Sequence, residues 1–247
     1  RSDPGNRHAV PYLHSINGFA YNVDMIRARM PNAPVDSLDM LFDPRIIRRF
    51  ADCGVTFLDS PSEVLPLALN YLHLDPNSRS AKDYQAAERL LLAVRPYIRA
   101  FDSTEYLSNL ANGESCVAMG WSSDASTTRA QLRAIGSHVE LAFTVPKEGS
   151  CISYDALLIP AAAPNPQAAY RFINFILEPR VIAAITNEIH YGNNNRRADR
   201  YVEPEILHDP TIYPTPASEG HLYQQGESDA ATERIRTRAW TKVKTGT

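Results

Sequence analysis

Long apolar runs are missing from this 247-residue chain, and none approaches the roughly 18 residues that a membrane-spanning helix needs. A basic excess is missing too. The formal net charge is -3, and the short clusters Arg45-Ile-Ile-Arg-Arg49 and Arg196-Arg197 are mixed with apolar or acidic neighbours. This argues against a nucleic-acid partner, because nothing offsets the phosphates. Cysteine is scarce, with Cys53, Cys116 and Cys151 alone. They form no Cys-x-x-Cys, and no His lies at helical spacing from another, so no zinc pattern is present. A Cys53–Cys116 bridge would close a long loop, add about 4 kcal/mol in the chain-entropy model and imply an oxidising compartment. The count alone leaves that pairing open. Gly-x-Ser-x-Gly, P-loop, His-Glu-x-x-His and Gly-x-Gly-x-x-Gly signatures are lacking, which speaks weakly against an enzyme. Repeats, low-complexity tracts and flexible linkers are also lacking. The polar start Arg1-Ser-Asp-Pro-Gly-Asn6 has no signal-peptide apolar region and opens no element, as a trimmed or truncated start would read.

What is present suffices for a sizeable core: 44% of the residues are hydrophobic. Helix and strand patterns alternate, which points to an α/β fold. Asp43-Pro44 opens a helix that Gly54 stops, and Val55 to Leu58 reads as a strand. Ser60-Pro-Ser-Glu63 has the form of a capping box before a helix through Leu72, with Pro66 expected to kink or shorten its first turns. Further helices are expected from Ser80, from Ser103-Thr104 to Asn112-Gly113, from about Asp124 to Ile135, from Asn165-Pro166, from Pro179 and from Asp229 to Val243. Strands are expected at Ile98–Phe101, Cys116–Trp121, Val139–Val145 and Ile152–Ile159. A Pro-rich stretch, Tyr201 to Pro216, should wrap a surface.

The most informative segment is Glu114-Ser-Cys-Val-Ala-Met-Gly-Trp-Ser-Ser-Asp124. It reads as a buried strand ending in Trp121, with Asp124 three residues on. Ligands of open α/β sheets sit beyond the carboxyl ends of strands. An indole face beside a carboxylate suits an organic cation. Each residue also has a plainer role: Trp121 could be packing, and Asp124 an N-cap. Asp155 interrupts an apolar strand, where a charge needs a partner or water, so either a cleft-edge carboxylate or an Arg pair explains it. Tyr154 should face the other way and pack. The capping box accounts for Glu63 without a ligand. Tyr191, before Gly-Asn-Asn-Asn195, could line a site or anchor its loop. His190 is a lone histidine with no indicated metal or catalytic partner, and no spacing links it to Cys151. Trp240 reads as core.

Asn22-Val-Asp24, Asp36-Ser37, Cys53-Gly-Val-Thr-Phe-Leu-Asp-Ser-Pro61, Asn70-Tyr-Leu72, Asp75-Pro-Asn-Ser78, Leu110-Ala-Asn-Gly113, Cys116-Val-Ala-Met-Gly-Trp121, Val145-Pro-Lys-Glu-Gly149 and Arg236-Thr-Arg-Ala-Trp-Thr-Lys-Val-Lys244 together resemble the polyamine-binding periplasmic proteins of ABC importers. The putrescine-binding type is the nearest match, and the resemblance runs from about Pro11 to Gly246. It implies a type II periplasmic binding protein fold, closing on a linear polyamine, with no cofactor, no metal and no catalysis. It places ligand contacts at Glu63, Trp121, Asp124, Asp155 and Tyr191, a disulfide at Cys53 and Cys116, and a free thiol at Cys151. Ser153 stands where the family usually has an aromatic ring that helps set putrescine against spermidine preference. The implied partners are putrescine or a related polyamine and the importer's permease, in the periplasm. The resemblance also implies a truncated chain: one lobe near complete, about 12–133 plus 185–247, and a fragment of the other, about 134–184. The alternative is a non-binding remnant or a module that self-associates through the incomplete lobe.

Overall fold

In the computed structural model, which describes residue 3 and residues 5–246, one strand organises the rest. Strand β1 runs over Ala9–Asn22, 14 residues, more than twice the usual strand length of about six. Sequence pattern alone indicates no element there, for two reasons. Most of the strand is buried on both faces, so no apolar–polar alternation appears. It also carries Pro11, Gly18 and the buried polar residues His14, Ser15 and Asn17. Pro11 is tolerated because the pairing register shifts between Pro11 and His14.

Around β1 the other strands are β2 (Val55–Phe57), β3 (Ala100–Phe101), β4 (Val117–Trp121), β5 (Leu141–Thr144), β6 (Ser150–Leu158), β7 (Gly192–Asn193) and β8 (Leu222–Tyr223). The principal order is β3-β2-β4-β1-β6-β8, with β5 and β7 also on β1. The first half of β1 pairs antiparallel with β6 and β7, and the second half with β4 and β5. β2 lies parallel to both β3 and β4. Gly18 is needed where β5 crosses: a Cβ there would collide with the Thr144 carbonyl and the Phe143 ring.

The longer helices are α1 (Val23–Arg29), α2 (Pro61–Tyr71), α3 (Ala81–Val94), α4 (Tyr106–Ala111), α5 (Ser122–Ala134), α6 (Pro166–Ile176), α7 (Pro179–Ile189) and α8 (Ala230–Thr245). Several begin where sequence signals place them. Asn165 caps α6 by accepting from the Ala168 N–H, with Pro166 at the first helical position. Asp229 caps α8 by accepting from the Thr232 N–H, and Gly246 ends it in the left-handed region. Helix α2 runs through Pro66 without a break. Pro66 lacks the N–H that would bond the Ser62 carbonyl four residues back, and the Gln225 side chain donates to that carbonyl instead.

Apolar packing forms two bodies joined by β1. The larger core gathers Phe19 and Ala20 of β1 with β2, β4, α2, α3 and α4, and takes Trp240 and Val243 from α8. The Cys53–Cys116 disulfide ties the start of β2 to the start of β4 inside it, closing 63 residues of chain. The smaller core holds Leu13 of β1 with Ile182, Ala183, Ala198, Val202, Ile206 and Ile212.

The stretch through Ile206 and Ile212 seals α7 in the smaller body, while Leu141 and Phe143 belong to the larger one. Amphipathic periodicity tells which residues are buried, not what buries them. Trp240 is core, as its helix pattern indicates.

Candidate functional site

The candidate site residues gather where β1 passes from one body to the other. Antiparallel register sets Asn17 opposite Trp121, the last residue of β4. Ser15 and Asn17 lie two residues apart on β1 and so face the same side. Ser15 meets α5, accepting from the Ser123 hydroxyl at 2.9 Å, and Asn17 meets α2, donating through its amide to Glu63. The start of α5, the end of β4 and the start of α2 are thereby brought to one stretch of strand.

Asp124 sits in the first turn of α5, two residues past its first residue, so it is not the N-cap; that position is Trp121. Its carboxylate accepts from the Tyr191 hydroxyl at 2.9 Å and the Tyr106 hydroxyl at 3.1 Å. A carboxylate in the first turn of a helix also gains from the macrodipole. Tyr106, on α4, is only 2% exposed, and its ring meets the Trp121 indole edge-on at 6.2 Å between centroids. Burial raises the Tyr106 phenol, and the Asp124 charge raises it further. Tyr191 is raised in the same way, by burial first, then by Asp124 and by Asp155. Both phenols therefore remain protonated donors at neutral pH and hold Asp124 in place.

Asp155 behaves differently. It lies on the exposed part of β6 and forms no ion pair with any arginine or lysine among the described residues. The Arg-pair explanation for it therefore fails. Its charge is felt by Tyr191 and by Tyr12 of β1, whose phenol is raised by burial and then by Asp155. Tyr154 does not pack away as expected: it is 45% exposed, with its ring 5.7 Å from that of His14. Ser153 is half-buried, opposite Ser15 in the β1–β6 register, and its hydroxyl is 3.9 Å from the Cys151 sulfur.

Glu63 departs from the capping-box reading. Ser60 makes no side-chain cap on α2 and bonds the Ser62 hydroxyl instead, at 3.0 Å. The Glu63 carboxylate turns inward to the Asn17 amide. Burial raises its pKa, and the Asn17 bond lowers it in part. Cys151 is a free, buried thiol beside it, pushed up to about 11 by burial and by the Glu63 charge. That is the reverse of what a nucleophilic thiolate needs. His190 bonds the Ser126 hydroxyl at 2.8 Å through Nδ1, so no Cys151–His190 pair forms.

Trp121, Asp124 and Tyr191 thus lie together, Asp155 is close to Tyr191, and Glu63 reaches the same strand through Asn17. The sequence reading missed Tyr106, Asn17 and Tyr12. No local signal marks them. Tyr106 reads as an ordinary core tyrosine until a hydroxyl partner is seen, and Asn17 and Tyr12 belong to the strand that pattern did not reveal.

A family model described as bacterial extracellular solute-binding protein matches residues 5–214. The putrescine-binding periplasmic protein SpuD of Pseudomonas aeruginosa is 42% identical over 246 residues, which cover 99% of this chain and 67% of that one. PotF of Escherichia coli, also a putrescine-binding periplasmic protein, is 42% identical over 248 residues, covering 100% of this chain and 67% of that one. Among solved structures, the spermidine/putrescine transporter substrate-binding protein PotD of Streptococcus pneumoniae superposes with a TM-score of 0.81 at 24% identity. It covers 99% of this chain and 71% of that one, a likeness of fold.

Proposed function

The chain belongs to the bacterial extracellular solute-binding proteins, and on that premise we propose that it captures a linear polyamine, putrescine foremost, for uptake through an ABC importer. The relatives named as putrescine-binding support that ligand class. The observation that carries the reading is the Asp124 carboxylate, held by two tyrosine hydroxyls beside the Trp121 indole. A diamine has two ammonium ends and an apolar middle. One ammonium is taken by Asp124 and Asp155, on either side of Tyr191, through charge-assisted hydrogen bonds. The methylenes lie along Trp121, and cation–π attraction adds to the hold on the charged end. Glu63 faces the other ammonium from beyond Asn17. Ser153 leaves space beside the chain of the ligand rather than a ring to stack on.

Capture needs no bond made or broken, so no nucleophile is called for, and the raised Cys151 thiol agrees with a role other than catalysis. Closure of the two bodies excludes water and strengthens each charge pair. The buried Cys53–Cys116 disulfide suits an oxidising compartment, the periplasm, where the permease partner would meet the loaded protein. Calorimetric titration with putrescine, cadaverine, spermidine and spermine tests the reading. A saturable heat for a diamine is expected, and no heat with any of the four counts against it.

A second reading, self-association, is favoured by one observation. Tyr170, Phe172 and Phe175 of α6 and Leu158 of β6 are each more than half exposed. Sedimentation at increasing concentration should then show dimers, and a compact monomer throughout would dispose of it.

A further inference from the structure

The smaller body carries a second charged feature outside the polyamine residues. Arg196, Arg197, Asp199 and Arg200 line a surface concavity of about 580 Å³. The three arginines come from one short 3-10 helix, Arg196–Tyr201. That helix is pinned from several sides. Its residue Ala198 is fully buried in the smaller core. Asn195 caps it by accepting from the Arg197 N–H and donates to the Leu177 carbonyl at 2.9 Å. The Tyr201 carbonyl accepts from the Asn187 amide at 3.1 Å. Next to the concavity, the Tyr201 ring has Arg180 at 5.0 Å and Arg200 at 4.9 Å.

Some arginines of the molecule have acidic partners, as Arg29 has Asp52 and Arg129 has Asp209. None of Arg180, Arg196, Arg197 and Arg200 is in an ion pair among the described residues. In a chain of net charge -3, four unpaired guanidiniums on a fixed scaffold make one face opposite in sign to the whole. Such a face orients the molecule toward an anionic partner as it approaches.

We propose that this arginine face docks an acidic segment of a partner protein. Guanidinium forks match carboxylates two bonds at a time, which suits Asp and Glu side chains spaced along a loop. The charges line a shallow, open depression. Tyr201, flanked by Arg180 and Arg200, adds two residue types enriched at the hot spots of protein contacts. The inference does not depend on the polyamine site, so the two can fail separately.

The test uses the full chain and a fluorescein-labelled peptide of alternating Glu and Asp, followed by anisotropy at low salt. The wild type should bind saturably and more weakly as salt rises. Arg197→Glu with Arg200→Glu should weaken binding by about tenfold or more, and Arg197→Lys with Arg200→Lys should fall between, because lysine keeps the charge but not the fork. Arg234→Glu with Arg238→Glu, exposed on α8 in the larger body, should bind like wild type. Thermal melts and putrescine titrations should be unchanged in all three, which removes misfolding as an explanation. The proposal is overturned if the wild type does not bind the peptide, or if the reversed pair binds as well as wild type. It is also overturned if the α8 pair loses as much, or if phosphatidylglycerol vesicles bind the arginine face and the peptide does not.

Discussion

The two bodies present their carboxylates in opposite states. In the larger body Asp124 accepts from Tyr106 of the same core and from Tyr191, which packs on the smaller one, and Glu63 is buried against an amide. Toward the smaller body, where its charge reaches Tyr12 and Tyr191, Asp155 stands exposed on β6 and forms no ion pair among the described residues. The scaffolds differ in the same sense. The larger core is extensive and stapled by a disulfide, whereas the smaller core contains seven buried apolar residues among the described ones, and α6 buries none of its own. A pre-set wall facing an open one suits capture by closure. The rigid side fixes ligand orientation at little entropic cost, and the open side gains its partner only when the ligand arrives.

The contrast can be broken most severely at its rigid side. Cys53→Ser with Cys116→Ser should lower unfolding stability by about 4 kcal/mol, read by denaturant titration. The loss should fall on the larger body, so amide exchange should speed in β2 and β4 before it does in α7. Next in size is Asp124→Asn, which removes the held charge and leaves one tyrosine hydroxyl poorly matched. Putrescine affinity should drop about a hundredfold, and stability should fall by about 1–2 kcal/mol. Asp155→Asn sharpens the comparison from the other side. Affinity should fall about tenfold with the melting temperature unmoved, because an exposed carboxylate without partners contributes little to the fold. Equal stability losses at 124 and 155 would erase the distinction.

The smallest effect is one of pH. Burial raises the Glu63 pKa above its ordinary value near 4.5 in the folded protein. Its folded state therefore binds the proton more readily than the unfolded chain does. Glu63 thus subtracts stability as pH rises from the unfolded value through the raised one. An ammonium needs the ionised form, so diamine affinity should weaken, as pH falls, at a higher pH than an ordinary carboxylate would give. Glu63→Gln should remove that pH step and leave the unliganded protein as stable as wild type or slightly more so. An unchanged pH profile would take Glu63 out of the site.

Much of this was legible in the sequence, and the failures have physical causes. Caps and periodicity located α6, α7 and α8, because those signals are local and the helices obey them. The Trp121–Asp124 segment stood out because a strand end followed by a carboxylate is also local. Strand β1 stayed hidden, since its burial on both faces removes alternation and the partners its polar residues do have, such as Ser123 and Glu63, lie far along the chain. The Ser60–Glu63 spacing satisfied a capping pattern that tertiary contact overrode: the amide of Asn17, 46 residues away, competes for the same carboxylate. Tyr106 went unseen because its hydroxyl bond to Asp124 spans two elements with no sequence spacing in common.

The claim that both bodies grip one ligand is tested most directly by a crystal structure of the chain with putrescine. The account predicts the diamine along the Trp121 indole, one ammonium within hydrogen-bond reach of Asp124 and Asp155 together and the other directed to Glu63. Putrescine bound to the larger body alone, with Asp155 still facing solvent, would contradict it.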